Sequence, residues 1–331
     1  MNAVRLYPLK FEPIFQYRIW GGRRLTSLLP VPLPGEDPVG EAWLLSDRTD
    51  HPSIVAEGAL KGKTIHELMQ EYPEKLLGKA AGLYKRFPLL LKFLDAQTAP
   101  SVQVHPSDQH TKYLPNGESG KTEAWVILDT GPKSHVYAGL QPGCSPAKMK
   151  RFLDDRQIAE LLSGFRPSVG EAVFIKPGTV HTMDDVVIFD IEQNSDVTFR
   201  LYDWDRTDKK TGKPRELQVK QAMACTDFSQ GAIGPVEPEI ETASPVMRER
   251  LFDCPQFILW RIQGDNPFKV GEKALPRVLV CIEGKGQLDD KGSLYVLNKG
   301  DVMLLPAVLN SCSFRPQGKV TLFEIALPKR A

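Results

Sequence analysis

Ser101-Val102-Gln103-Val104-His105-Pro106 is the stretch from which the fold is read. Side chains of an extended strand alternate between its faces, so Ser101, Gln103 and His105 fall on one side while Val102 and Val104 pack behind them. An amide oxygen beside an imidazole is half a site for a hard or borderline divalent metal. Downstream, Gly120 to Leu128 reads as a second strand with Lys121, Glu123 and Trp125 sharing a face, which makes Glu123 the third candidate ligand. A third strand, Gly170 to Ile175, runs into the turn Lys176-Pro177-Gly178-Thr179-Val180-His181, and His181 is the fourth candidate. A histidine taken alone is usually a core or surface residue. Here a Q-x-H pair, a same-face glutamate and a glycine-to-histidine turn must all coincide.

Working outward, the chain of 331 residues exceeds one typical domain. Its 42 basic and 41 acidic residues leave a formal net charge of +1, which gives no support to a general nucleic-acid or anionic-membrane role. The N-terminal residues lack the apolar core of a signal peptide, and Lys92 interrupts the apolar run at Leu89-Leu90-Leu91 before membrane-spanning length. A soluble, cytoplasmic protein is expected. Its five cysteines, Cys144, Cys225, Cys254, Cys281 and Cys312, are scattered without C-x-x-C spacing and read as free thiols in a reducing compartment.

Residues 7–48, rich in proline and glycine, read as short strands of barrel wall with Trp43 and Leu45 on one side. Thr64 with Glu67 three residues on predicts a capped helix through Glu71, with His66 on its surface. Phe87 to Asp95 has the pattern of a buried strand, and Lys92 inside it demands an anionic partner. Ser145-Pro146 predicts a helix start, with a second helical piece over 157–162; this insert is expected to cover the barrel rather than line it. Val186 to Glu192 reads as strand, and after it Val197, Phe199 and Leu201 alternate with Thr198, Arg200 and Tyr202. The basic stretch 207–215 is expected to be a solvated loop, and the proline-bearing segment 231–245 a linker. The chain is therefore divided at 240/241. Beyond that cut it repeats itself: Gly300 to Pro306 parallels Gly170 to Lys176, and the position of His181 is taken by Ser311. Residues 250–331 contain no histidine and are read as a structural, metal-free barrel.

Trp20-Gly21-Gly22, Gly40-Glu41-Ala42-Trp43, Ser101 to Pro106, Gly120 to Trp125, Gly178 to His181 and Gln193 to Asp203, in this order, resemble the boxes of type I phosphomannose isomerases (mannose-6-phosphate isomerases) in their short bacterial form. The resemblance spans nearly the whole chain. It implies a mainly β fold of two cupin-like (jelly-roll) β-barrels with a few helices inserted, residues 1–240 holding the metal and residues 241–331 forming a barrel without ligands. It also implies one Zn2+ per chain on Gln103, His105, Glu123 and His181, and interconversion of mannose 6-phosphate and fructose 6-phosphate. By the same resemblance Arg200 is catalytic, Lys121 lies in its pocket, and Ser101 and Lys92 match positions at the phosphate end. The expected partner is a small sugar phosphate, with neither nucleic acid nor membrane, for a monomer or homodimer. One departure is Thr182-Met183-Asp184-Asp185, where the family more often has an alanine and a glycine-bearing turn.

An aldose–ketose isomerisation moves a proton between C2 and C1 through an enediol with anionic character. A metal and the always-charged guanidinium of Arg200 suit that charge. For the base two candidates stand: Glu192, which shares the strand parity of Arg200 if the segment is continuous, and Lys121. Two rival readings are a non-enzymatic sugar-phosphate-binding cupin and an Fe(II) cupin oxygenase, whose sites favour two histidines and one carboxylate with open positions.

Overall fold

The computed structural model describes residues 5–115 and 117–327. Its strands form three sheets. In a nine-stranded sheet the order runs Phe199–Tyr202, Val102–Val104, His181–Gln193, Leu89–Ala96, Ile14–Gly22, Val39–Leu45, and the long strand Glu123–Leu140 pairs with His181–Gln193, Ala172–Ile175 and Leu162–Phe165. A seven-stranded and a four-stranded sheet carry the C-terminal part. The protein is mainly β, two cupin-like barrels with a few inserted helices.

Alternation decides which way each strand faces. In the Glu123 strand, Trp125 and Ile127 turn into the first barrel, while Ala124 and Val126 join a second core on its outer face. In the His181 strand Ile188 faces inward, whereas Val187, Phe189 and Ile191 face that outer core. Asp190 and Glu192 share the inward parity of Ile188. The outer core is common to both barrels: it includes Leu259, Phe323 and Ile325, and the rings of Phe189 and Phe323 lie 5.2 Å apart. The N-terminal strand Leu9–Lys10 crosses over to pair with Val302–Leu305 of the seven-stranded sheet.

Local expectations meet their structural outcome element by element. Thr64 caps the helix Ile65–Glu71 in a reciprocal box with Glu67, and Ser145 caps Pro146–Asp154. Met149, Ile158 and Leu161 of this insert pack on Val102, Val104, Phe199 and Leu201, so it backs the barrel wall from outside. In the strand Val39–Leu45, however, a register shift between Trp43 and Leu45 breaks the expected alternation. Leu44 and Leu45 both enter the shared core, and Trp43 stays with Lys92, whose ammonium lies 5.0 Å from its ring. The segment 231–245 is not a free linker either. Its backbone bonds Ile233 to Ala138 and Val236 to Ala172, and Glu239–Thr242 forms an edge strand of the seven-stranded sheet, so the cut at 240/241 falls inside a strand.

Candidate functional site

The strand Val102–Val104 lies between the His181 strand and Phe199–Tyr202, and this sets the site. Gln103 faces His181 on one side and Arg200 on the other. His105 follows at the strand's end, its carbonyl accepting from the N–H of Gly178 at 2.9 Å. Gly178 sits at φ +87°, a left-handed conformation that glycine adopts freely, and the turn it makes delivers His181 to the first position of its strand.

His105, Glu123 and His181 meet in the barrel interior, all essentially buried. The Nδ1 of His105 lies 2.9 Å from the carbonyl of Val197, and that of His181 lies 2.9 Å from the carbonyl of Thr179. A carbonyl only accepts, so both Nδ1 atoms carry the proton and both Nε2 atoms present lone pairs. These point at Glu123 Oε1, 3.4 Å from His105 Nε2 and 3.2 Å from His181 Nε2. His105 Nε2 and Glu123 Oε1 have no hydrogen-bond partner among the described residues. Burial pushes the His181 imidazole down to about 3, and that of His105 is lowered for the same reason, so protonation does not relieve the crowding at neutral pH. Three lone-pair-bearing atoms converging without a proton are a donor set for a cation. The Gln103 amide closes the set, its nitrogen 3.2 Å from His181 Nε2; a half-turn about its last bond exchanges that nitrogen for the oxygen. Two imidazoles, a carboxylate and an amide therefore fit a divalent metal of borderline or hard character.

Beside this cluster a cavity of about 350 Å³ is lined by Gln103, Glu123, Lys121, Lys92, Asp190 and Arg200, among others. Lys92, the lysine inside an apolar run, stands 2.5 Å from Glu192, 3.1 Å from Asp196 and 3.9 Å from Glu41. Lys121 stands 3.0 Å from Glu123 and 2.5 Å from Glu192. Burial works against the charge of Lys121, but Glu123, Glu192 and Asp190 outweigh it and hold the ammonium well above the usual lysine range. Glu192, pinned between the two lysines, is pushed up to about 6 by burial against their pull. It does not line the cavity. Asp190 does, two residues earlier on the same face; burial, then Glu192 and Glu123, raise it well above the usual carboxyl range, and its Oδ1 has no hydrogen-bond partner among the described residues.

Arg200 lines the cavity with no carboxylate within 4 Å among the described residues, and its buried Nε has no hydrogen-bond partner among them. Its parity argument with Glu192 does not survive, because the chain leaves the His181 strand at Gln193 and Arg200 arrives on a separate strand, opposite Gln103. Ser101 is buried behind the cavity, its hydroxyl donating to Gln103 at 3.3 Å. The departure at 182–185 is structured: Thr182 and Met183 line the cavity, and Asp185 at φ +52° holds Arg24 at 3.2 Å.

Several of these residues escaped the sequence reading. Asp190 had a signal, the period of two that marked Glu192. Glu41 and Asp196, two of the partners Lys92 demanded, fall within the boxes of the family resemblance, but they lie far from Lys92 in sequence and nothing in their spacing pairs them with it. The stretch 207–215 is not simply solvated, since Asp208 and Arg215 reach the cavity wall, Arg215 held by both oxygens of Asp203 at 2.6 and 2.8 Å.

A sequence profile for "Phosphomannose isomerase type I, catalytic domain" matches residues 8–126. The chain is 34% identical to mannose-6-phosphate isomerase ManA of Bacillus subtilis (strain 168), over 90% of this chain and 93% of that protein. It is 29% identical to mannose-6-phosphate isomerase of Streptococcus mutans serotype c, over 93% and 95% respectively. Among solved structures, mannose 6-phosphate isomerase from Bacillus subtilis superposes with a TM-score of 0.89 at 29% identity, covering 97% of this chain and 99% of that one.

Proposed function

The chain belongs to the type I phosphomannose isomerase family, and from that premise we propose that it interconverts mannose 6-phosphate and fructose 6-phosphate through an enediol in the cavity beside His105, Glu123 and His181. The observation that carries the reading is the convergence of unprotonated ligand atoms, with His105 Nε2 and Glu123 Oε1 lacking any hydrogen-bond partner among the described residues, beside a cavity whose walls are dense with charge. A divalent ion, which we take to be Zn2+, on Gln103, His105, Glu123 and His181 would supply Lewis-acid polarisation of the sugar's C1 and C2 oxygens. The chain's own groups do the rest. Arg200, charged at all working pH values and without a carboxylate to neutralise it, faces the developing negative charge of the enediol. Lys121 adds a second fixed positive charge, and its raised range argues for that role over a base.

For the proton transfer we propose the inward-facing carboxyls of the His181 strand. Glu192, pushed up to about 6, is the proton acceptor suggested by sequence, and Asp190 on the same face of the strand lines the cavity where Glu192 does not. Lys92 and Ser101 are proposed at the phosphate end on the family resemblance, and Ser101 also donates to the proposed metal ligand Gln103 at 3.3 Å. The division into residues 1–240 with the metal and 241–331 without belongs to the same proposal, as does a cytoplasmic, soluble life; no helix among the described residues is long and apolar enough to cross a membrane.

The test is a coupled assay run in D2O. Conversion of mannose 6-phosphate, with deuterium appearing at C1 or C2 and no need for oxygen, is the expected result, with glucose 6-phosphate and unphosphorylated mannose far poorer substrates. Binding without turnover, or turnover that consumes oxygen, would overturn the proposal.

A further inference from the structure

The C-terminal barrel repeats the wall of the first in a register that can be followed strand by strand. Ala172–Ile175 and Val302–Leu305 each follow a left-handed glycine, Gly170 at φ +91° and Gly300 at φ +84°, and each precedes a strand that begins at His181 or Ser311. Glu123 pairs with Ile175 in the first barrel, and Arg277 pairs with Leu305 in the second. Gln103 pairs with His181, and Gly271 pairs with Ser311. Trp125 pairs with Asp190, and Leu279 with Glu324. The positions of Gln103, Glu123 and His181 are thus taken by Gly271, Arg277 and Ser311, while a carboxylate survives at the Asp190 position as Glu324.

The second barrel is not filled at this place. A cavity of about 430 Å³ is lined by Arg248, Trp260, Lys269, Arg277 and Glu324, with Leu275 among its apolar contacts. Glu324, 2% exposed, is fully engaged: it accepts from the N–H of Gly271 at 2.8 Å and from Arg248 at 2.7 Å. Arg277, only 6% exposed, is not. Its one side-chain hydrogen bond among the described residues goes to the carbonyl of its neighbour Pro276, and its Nε and Nη2 stand 3.5 and 3.7 Å from Glu324 and Glu272, outside good hydrogen-bond length. Lys269, exposed on the neighbouring four-stranded sheet, also lines the cavity and has no ion pair among the described residues. Of the other carboxylates at the cavity, Asp253 engages Arg250 at 3.4 Å, and Glu272, its side chain 43% exposed, accepts from the N–H of Lys273 at 3.1 Å. A buried guanidinium with spare donors and an exposed, unpaired lysine lining the same cavity are an arrangement that an oxyanion completes.

We propose that this cavity is a second binding site, distinct from the isomerase site, for a small organic oxyanion. The anionic group, a phosphate monoester or a carboxylate, pairs with Arg277 and Lys269, and the body of the ligand lies against Trp260 and Leu275. The volume falls within the usual range for small-molecule pockets, roughly 300–1,000 Å³, and a bare inorganic ion would leave most of it empty.

Trp260 gives a local readout. In the full-length, metal-loaded protein labelled with 5-fluorotryptophan, five fluorine resonances are expected, and Trp260→Phe identifies the one from the second barrel. Glycerol 3-phosphate and succinate are titrated separately at constant ionic strength, with chloride as control. A saturable shift of the Trp260 line with either ligand and none with chloride supports the site, and the arm that responds tells phosphate ester from carboxylate. Lys269→Ala, an exposed position, should weaken that response several-fold, and Arg277→Gln should abolish it. If Arg277→Gln fails to fold, Lys269→Ala decides. A Trp260 line that ignores both ligands, that follows chloride equally, or that responds unchanged in Lys269→Ala overturns the proposal.

Discussion

Glu123 Oε1 faces two imidazole lone pairs with no proton between them, and the clearest predictions follow from atoms of this kind. Removing one donor, as in His181→Ala, should strip the metal and the turnover together while far-UV circular dichroism stays that of the wild type, since the barrel core does not depend on the ligand. Full metal occupancy in that variant would refute the ligand set. Arg200→Lys tests a different kind of group. If Arg200 acts chiefly on enediol charge, lysine keeps the charge and loses the planar fork, so kcat should fall about ten- to a thousandfold with KM little changed. Lys92→Ala should show the opposite split, with KM rising more than kcat falls. A change in KM alone for Arg200→Lys would make Arg200 a phosphate clamp. At this scale the sequence was legible wherever alternation within one strand sufficed, as for Gln103, His105 and Glu123. It failed where function depends on which distant strand lies opposite: nothing in the spacing of Lys92 and Asp196 shows that they stand 3.1 Å apart.

Single elements behave as their local chemistry dictates, which is why most were readable. The Thr64–Glu67 box and the Ser145-Pro146 start satisfy their own helix ends, so their reading needed no tertiary information. The strand Val39–Leu45 was misread because a register shift resets the period of two without any mark in its composition. The stretch 207–215 looked solvated by charge count, but Arg215 has found the buried Asp203. The repeat is the most informative element-scale feature. Ser311 opens its strand exactly where His181 opens the equivalent one, yet it is exposed and lies in a barrel without histidine. Ser311→Ala should leave mannose 6-phosphate turnover at the wild-type value in a steady-state assay, and a large loss there would mean that this turn serves the reaction.

On the scale of the whole molecule, the two barrels are joined by a shared apolar core and by the N-terminal strand that crosses between them. Such long-range packing is where sequence reading ends, because each barrel's outward residues look alike whether they meet water, a partner or each other. The interior also shields the thiols. Cys225, Cys281 and Cys312 are buried, and burial pushes them up to about 11, 12 and 11 respectively. A raised pKa leaves less thiolate, so at pH 8 the thiolate fraction of each should be ~0.1% or less. Native protein should therefore react with a thiol reagent slowly and incompletely, and all five cysteines should react on unfolding. Fast reaction of all five in the native state would contradict the packing described. The central claim is that the cluster of Gln103 with the buried His105, Glu123 and His181 holds one metal on which the isomerisation of mannose 6-phosphate depends. Its most direct test is turnover of mannose 6-phosphate by protein stripped with a chelator and then titrated with Zn2+: the account predicts negligible turnover in the stripped protein and full recovery at one equivalent per chain, and undiminished turnover in protein without bound metal would contradict it.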